Sequence, residues 1–477
     1  MRKRTILTAC CISVLLVGLD VTAVNLALPS MAKELHVAIN GMQWVVASYT
    51  LVGAALLLAA GTIGDRLGYR RALCVGVGVF IVASALCATA STHQLLIVFR
   101  VLQAVGASLI VPMGMSVIAH VFPGRDERPH AMGMFTAAYA LGMALGPVAG
   151  GALVDSVGWR SIFLINVPIG IVVLALTARY TPEFRSTRFR HLDLVGQLLV
   201  IVFLGPLVYA IIEAPQLGWT SVPVQICVGA AIAAFVAFLV YERRCREPLI
   251  DLRYFRSVPF SCAVSIGFVC FAAFSGVLFL STLYLQYARG FSALTAGIWM
   301  LPLAVMAGVC GPLSGRLTGR YGTRPSFLLA GAATATGGLL FALADAENHD
   351  VLLLVGYALF GANIGLSNTP TTMTVVAGMP RDRAGVASAL LLTFRRVGFT
   401  LGVAVMGTLL AAGGWHTTEP IPVFIDAARA GWWTVACCGL GVLLLGVLAT
   451  GKWAQASAEH TAVVLEESST AHDRSTA

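Results

Sequence analysis

Charge is what this chain has least of. Only 11% of its 477 residues are Asp, Glu, Lys or Arg, where a soluble globular domain carries about 25%. With 58% hydrophobic residues and a mean hydropathy of +0.85, the chain reads as a polytopic membrane protein. There is no GxxxxGK[ST] loop to cradle a nucleotide phosphate, which excludes direct ATP drive. There is no CxxC: the eleven cysteines lie mostly inside apolar runs and read as small membrane residues, not as a disulfide framework. The nine histidines sit mostly in loops or near helix ends, without metal-ligand spacing. The net charge of +9 is spread over short loops instead of forming one patch, so nucleic acid is not an expected partner. No sizeable soluble stretch and no catalytic constellation is present, which argues against an enzyme or a receptor.

What the chain does have is apolar runs. A spanning helix needs about 20 mostly apolar residues. Such runs fall near 6–28, 42–63, 72–90, 95–118, 130–153, 161–179, 192–212, 222–242, 259–282, 293–313, 326–343, 351–373, 384–410 and 430–450. The seventh contains Gly205 and Pro206, and the thirteenth contains Arg395 and Arg396, so these two are the weakest helices. The opening MRKR and the apolar run behind it imitate a signal peptide, but the run continues to Ala27 and reads as an uncleaved first helix.

Loop charge tests the count. With the N-terminus inside, the outer side holds only Lys33, Arg160, Arg289 and Arg429, while Arg100, Arg395 and Arg396 fall within spans. All other Lys and Arg lie on the inner side, as the positive-inside rule requires for an even number of helices with both termini cytoplasmic. The polar tail over 453–477 is expected to be disordered.

The stretch AYALGMALGPVAGGAL at 138–153 is unusual. Gly142, Gly146 and Gly150 recur every fourth residue and share one helix face, with Pro147 and Gly151 beside them. Each would cost about 1 kcal/mol against alanine in water, and is tolerable where a neighbouring backbone presses onto the strip inside a membrane. The chain also repeats itself. GTIGDRLGYRRAL at 61–73 matches GRLTGRYGTRPSF at 315–327, pairing Gly61 with Gly315, Arg66 with Arg320, Gly68 with Gly322 and Arg70 with Arg324. Gly142, Gly146 and Gly151 find counterparts in Gly398, Gly402 and Gly407. Helices 1–6 are thus echoed by 9–14, which gives an N-terminal six-helix bundle (1–180), two inserted helices (181–258) and a C-terminal bundle (259–452). Two like halves around a central site is a transporter plan.

These residues resemble a known family. GTIGDRLGYRRAL is similar to the loop 2–3 signature of the major facilitator superfamily, and GMALGPVAGGAL to its antiporter motif on helix 5. GLDVTAVNLALP at 18–29 and GWRSIFLINVPIG at 158–170 resemble the helix 1 signature and the helix 6 entry of the 14-helix drug:proton antiporters. The sequence departs from the family in four places: Ala104 after the helix 4 glutamine, Gly319 in place of Asp65, Arg396 where relatives often show glutamine, and no acidic residue in 293–313. The resemblance implies an all-α major facilitator fold of fourteen transmembrane helices, and a monomer in lipid that exports hydrophobic or cationic drugs or antibiotics. The proton gradient would drive it, with no cofactor. The alternative keeps the fold and makes the cargo a physiological metabolite such as an amino acid, a siderophore or a self-made antibiotic.

Asp20 is the only carboxylate well inside a predicted span. A carboxylate taken out of water is costly to ionise, which makes it a candidate proton carrier. At 1.5 Å per residue, Asp20 lies about 12 Å from the outer end of helix 1 and Arg100 about 8 Å below the outer end of helix 4, so the two can meet. The plainer reading is a structural cap and an arginine that snorkels to headgroups. Asn25, Gln103, Tyr139, Gln286, Asn363 and Asn368 are polar groups that the family turns toward its cavity; each is equally an interhelical hydrogen bond. Phe271, Phe274, Phe279 and Trp299 are candidates for an apolar wall or for lipid contact. The resemblance further implies that Asp65 pairs with Arg70 and faces the N-terminal end of helix 13 near Ala384, so that Gly61, Asp65, Arg66, Gly68 and Arg70 form a cytoplasmic gate. Arg395 and Arg396 are left as charges peculiar to the second half.

Overall fold

In a computed structural model, residues 2–124, 127–185, 193–245, 250–343, 350–377, 384–415, 421–451, 453–454 and 456–461 are described. The first half comprises α1 (Arg2–Leu35), α2 (Ile39–Leu67), α3 (Tyr69–Thr89), α4 (His93–Val121), α5 (Glu127–Val157), a short α6 (Ser161–Leu164) and α7 (Asn166–Tyr180). Two inserted helices follow, α8 (Leu194–Leu217) and α9 (Val222–Arg244). The second half comprises α10 (Val258–Leu283), α11 (Ala293–Trp299), α12 (Leu301–Tyr321), α13 (Arg324–Leu343), α14 (Asp350–Val376), α15 (Ala384–Ala412) and α16 (Ile421–Ala449). Among the described residues thirteen spans are long and apolar enough to cross a membrane, and bent α2 makes fourteen.

Three local expectations change. Gly205 and Pro206 do not interrupt α8, because no water competes for the backbone bonds a proline disturbs in a membrane. Arg395 and Arg396 likewise leave α15 continuous. The run at 293–313 is broken at Met300, where Pro302 starts a new helix in the first turn of α12, a position at which its missing N–H costs nothing. Within the tail, residues 456–461 are helical, and the Ser457 hydroxyl accepts the Val258 N–H at 3.0 Å. Residues 455 and 462–477 of the tail, with Arg125, Arg188, Arg190, Arg246, Arg381, Arg383 and Lys452, lie outside the described residues.

The halves are built alike. In the first, α1 packs on α5, α2 on α4 and α3 on α4 and α7; in the second, α10 packs on α15, α12 on α14 and α13 on α14 and α16. The matched turn glycines also agree. Gly68 and Gly322 have φ of 92° and 79°, a region that penalises any side chain. Each also closes its helix, through the Gly68 N–H to the Gly64 carbonyl at 2.9 Å and the Gly322 N–H to the Thr318 carbonyl at 3.1 Å.

The glycine strip serves the α1–α5 contact. A methyl group at Gly142 would overlap the Leu15 carbonyl, one at Gly146 the Thr22 hydroxyl, and one at Gly150 would stand 2.9 Å from the Ala23 Cα. The second copy repeats this: Gly398 and Gly402 abut the Phe268 and Ala272 carbonyls of α10. The third matched pair points elsewhere. Gly151 meets Ala293 of α11, and Gly407 meets Gln43 of α2, so each faces the opposite half.

Bonds between the halves gather toward the ends where α1 and α15 finish, called here the far ends. Gln43 donates to the Ala404 carbonyl at 2.6 Å, and Gln286, in the π-turn Tyr284–Ala288 that ends α10, donates to the Leu26 carbonyl at 3.0 Å. The Asp155 carboxylate accepts the Ala293 and Leu294 N–H groups at 3.2 and 2.8 Å, capping the N-terminus of α11. Thr50 and Thr400 pair at 2.8 Å nearer the middle. Outside this seam a cavity of about 350 Å³ lies between the ends of α1 and α10, lined by Ser30, Lys33, Gln286 and Phe291 among others. At the opposite, near end, a side chain at Gly61, Gly315 or Gly319 would meet nothing within 4 Å.

Of the inserted helices, α9 packs on α8, and α8 is not peripheral. Helix α8 lies across the line where α2 meets α15, with Val208 and Ile212 packed among Ala47 and Ala404. Gln197 donates to the Ala55 carbonyl of α2, Glu213 accepts Trp44 Nε1 at 2.8 Å, and Thr408 of α15 donates to the Ile211 carbonyl at 2.6 Å.

Candidate functional site: a buried carboxylate–guanidinium network

Asp20 and Arg100 meet. Arg100 Nη1 lies 2.7 Å from Asp20 Oδ2, and the two side chains are 1% and 0% exposed. Helix α1 carries Asp20 because its glycine-matched face on α5 fixes its position; α4 crosses beside it. Each ion loses several kcal/mol of hydration in such a place, and only good geometry with further hydrogen bonds repays it. Those bonds are present. Arg100 Nη1 also donates to Gln103 Oε1 at 2.7 Å, and Nε to the Val45 carbonyl at 3.3 Å. The Tyr49 ring lies 4.0 Å from the guanidinium carbon, a cation–π contact. Asp20 Oδ1 accepts from Gln103 Nε2 at 2.9 Å and from Asn166 Nδ2 at 3.2 Å. Both amides also donate to the Ser84 hydroxyl, at 3.2 and 3.0 Å, and Ser84 passes its proton to the Phe163 carbonyl at 2.9 Å.

The network therefore draws on α1, α2, α3, α4, α6 and α7 and gathers three donors on the Asp20 carboxylate. Protonating Asp20 would remove the charge that Arg100, Gln103 and Asn166 converge on. Gln103, expected in the cavity, is fully engaged here and 0% exposed. Asn166, Ser84 and Tyr49 were not anticipated. For Asn166 the signal lay in view, inside GWRSIFLINVPIG. Asn166→Ala removes a donor from two buried acceptors and is expected to cost about 1–3 kcal/mol, read as a lowered melting temperature of the purified protein.

A second group forms in the second half. Arg395 Nη2 donates to the Thr371 hydroxyl at 2.5 Å and to the Asn368 carbonyl at 3.3 Å, with the Phe271 ring 5.4 Å away. Arg396 lies over Gly53 of α2, and Tyr139 of α5 is within electrostatic reach of both guanidiniums. Asn363 Oδ1 accepts from Cys270 Sγ at 3.3 Å, while Asn25 donates only to the Val21 carbonyl of its own helix at 3.1 Å, leaving its Oδ1 buried without a partner. Phe274 and Phe279 are core residues, whereas Phe271 and Trp299 are half-buried.

The implied gate pairing is not observed. Arg70 is ion-paired to Glu183 at 3.7 Å, and its backbone N–H also donates to Glu183, at 3.2 Å. Asp65 instead accepts the Tyr69 hydroxyl at 2.8 Å, and Arg66 is exposed. Glu183 is the better partner because the segment after α7 runs back over the α2–α3 turn, where its carboxylate meets Arg70 and Arg71 together. The Ala384 side chain lies outside the described residues. A carboxylate on a helix N-terminus of the other half does occur, but at the far end, through Asp155.

The model of the Major Facilitator Superfamily matches residues 10–403. The chain belongs to this superfamily. Two solved structures share the facilitator fold at low identity. A mutant of nucleoside transporter NupG gives a TM-score of 0.66 at 13% identity over 94% of this chain and 100% of that one. A bacterial homolog of the human lysosomal transporter Spinster gives 0.63 at 18% identity over 97% and 98%. Among curated facilitators, the "Multidrug resistance protein Stp" of Mycobacterium tuberculosis is 38% identical over 405 residues, 85% of this chain and 75% of that protein. The "Methylenomycin A resistance protein" of Streptomyces coelicolor is 36% identical over 410 residues, 85% of each. The "Multidrug efflux pump LfrA" of Mycolicibacterium smegmatis is 31% identical over 419 residues, 88% of this chain and 82% of that one.

Proposed function

We propose that this facilitator is a proton-coupled antiporter that exports drug-like or antibiotic compounds across the cytoplasmic membrane by alternating access. The Asp20–Arg100 pair carries the reading. It is a carboxylate sealed from water, held by a cation and two amides, beside the helix contact that joins α1 to α5. Protonation of Asp20 from outside weakens its hold on Arg100 and lets α1 and α4 shift; release of the proton inside restores the pair. The arginine asymmetry supports a cytoplasmic near end with both termini inside, and the gradient itself is the energy source, without a cofactor. Membrane lipid is the only other partner, and a monomer suffices. The names of the relatives support drug or antibiotic export; a self-made antibiotic or another metabolite would change the cargo and not the mechanism.

Uptake of ethidium into inverted vesicles under an imposed pH gradient tests this. Gradient-dependent accumulation is expected, and accumulation indifferent to collapsing the gradient overturns proton coupling. We propose further that Asp65 acts at the cytoplasmic end in the opposite, outward-facing state. Asp65→Asn is then expected to lower ethidium transport about tenfold, with abundance in the membrane unchanged by immunoblot.

A further inference from the structure

Arg100 and Arg395 pose the same physical problem and are answered differently. Arg100 is buried with a carboxylate built for it. Arg395 is 7% exposed, midway along α15, and the oxygens it reaches, Thr371 Oγ1 and the Asn368 carbonyl, are neutral. Its Nε is buried without an acceptor. Among the described residues it forms no ion pair with a carboxylate, and Asp20 is bonded to Arg100. A second guanidinium follows at once. Arg396 crosses the line between the halves, and a methyl group on Gly53 of α2 would stand 2.5 Å from its Nη1. The Tyr139 phenol of α5 lies in the field of both arginines, and the Tyr49 phenol, which also stacks on Arg100, lies in that of Arg396. Two positive charges thus stand side by side in the middle of α15, one reaching α14 and the other α2, and among the described residues neither forms an ion pair with a carboxylate.

A lone buried cation is strongly unfavourable unless something pairs with it. We propose that the missing partner is the cargo: Arg395 and Arg396 form an anion subsite, and the compounds this chain handles best carry a carboxylate or a comparably acidic group. A guanidinium presents paired donors that match the two oxygens of a carboxylate. The Phe271 ring, against which Arg395 lies, and Phe274 at 6.3 Å from it give the adjoining apolar surface. The inference rests on the export reading and narrows it, turning the cargo from the hydrophobic or cationic compounds expected from sequence to hydrophobic anions. Tyr49, whose ring stacks on Arg100, and Gly53, against which Arg396 lies, are one turn apart on α2, which places the anion subsite next to the Asp20 network.

Two probes with one body test this: anthracene-9-carboxylate and its neutral amide, anthracene-9-carboxamide, titrated by fluorescence into the full chain purified in detergent. The carboxylate is expected to bind at least tenfold more tightly than the amide. The doubly substituted Arg395→Gln, Arg396→Gln protein is expected to lose that preference, and the Arg395→Lys, Arg396→Lys protein to keep part of it. Equal or weaker binding of the carboxylate by the unsubstituted protein overturns the proposal without requiring any variant to fold. A preference that survives in the double glutamine protein overturns it as well, by placing the anion elsewhere. Gradient-driven uptake of the amide into inverted vesicles, with no preference for the carboxylate, would remove the subsite and leave the export reading intact. An arginine-dependent preference for the carboxylate without gradient-driven transport would keep the subsite and remove that reading.

Discussion

Asp20→Asn is expected to abolish gradient-driven transport, by a hundredfold or more, because the amide can neither take nor release the proton. The variant also leaves Arg100 as a buried cation without its counter-ion, and breaking one side of a buried pair costs about 3–5 kcal/mol. A dead single variant therefore does not separate chemistry from folding. The double variant Asp20→Asn, Arg100→Gln does. It removes both charges from a place where both are buried, so its melting temperature should recover toward that of the unsubstituted protein. Transport should stay absent. If the neutral pair transports under a pH gradient, Asp20 is a structural cap and the proton travels elsewhere.

Gly151→Leu is the second large effect. Gly151 stands where α5 meets α11, and a side chain there would overlap the Ala293 carbonyl of the other half. Overpacking costs typically about 1–3 kcal/mol, which is about a 5- to 150-fold shift between two states at 1.4 kcal/mol per tenfold. The penalty applies only when the far seam is closed, so the variant should fold normally and be trapped with that seam apart. Transport should fall at least tenfold, and a cysteine introduced at Ser30, on the cavity beside the seam, should label faster with an impermeant maleimide than in the parent. Gly142→Leu is the contrast. Gly142 faces Leu15 of its own half, so it should lower abundance in every state. Unchanged labelling at Ser30 in the Gly151→Leu protein would mean that the seam does not close there.

The pattern of the fold was written locally, and so was readable. Apolar runs mark the helices because a bilayer demands them. The matched glycines mark the repeat because each copy solves the same packing problem, Gly146 against α1 and Gly402 against α10. Asp20 and Arg100 could be brought together from depth alone, since both are singular charges on neighbouring helices. Depth does not tell which polar side chains turn toward them, so Asn166 and Ser84, on α7 and α3, were missed. Arg70 was assigned to Asp65, five residues away, when its partner Glu183 comes from a segment more than a hundred positions further on. A short spacing makes a pairing imaginable without making it the best available. From sequence Arg395 and Arg396 were only charges peculiar to the second half, because their meaning lies in the carboxylate that is absent around them among the described residues.

Helix α8 covers one of the two lines where the halves meet. Val208 and Ile212 fill the join of α2 with α15, and Gln197, Glu213 and Thr408 fasten it. The other join, of α5 with α11 and α12, has no such cover among the described residues. The two joins are accordingly unlike: one is faced by an inserted helix and the other is not. On α12, which forms the second join, a side chain added at Gly308 or Gly315 would meet nothing within 4 Å.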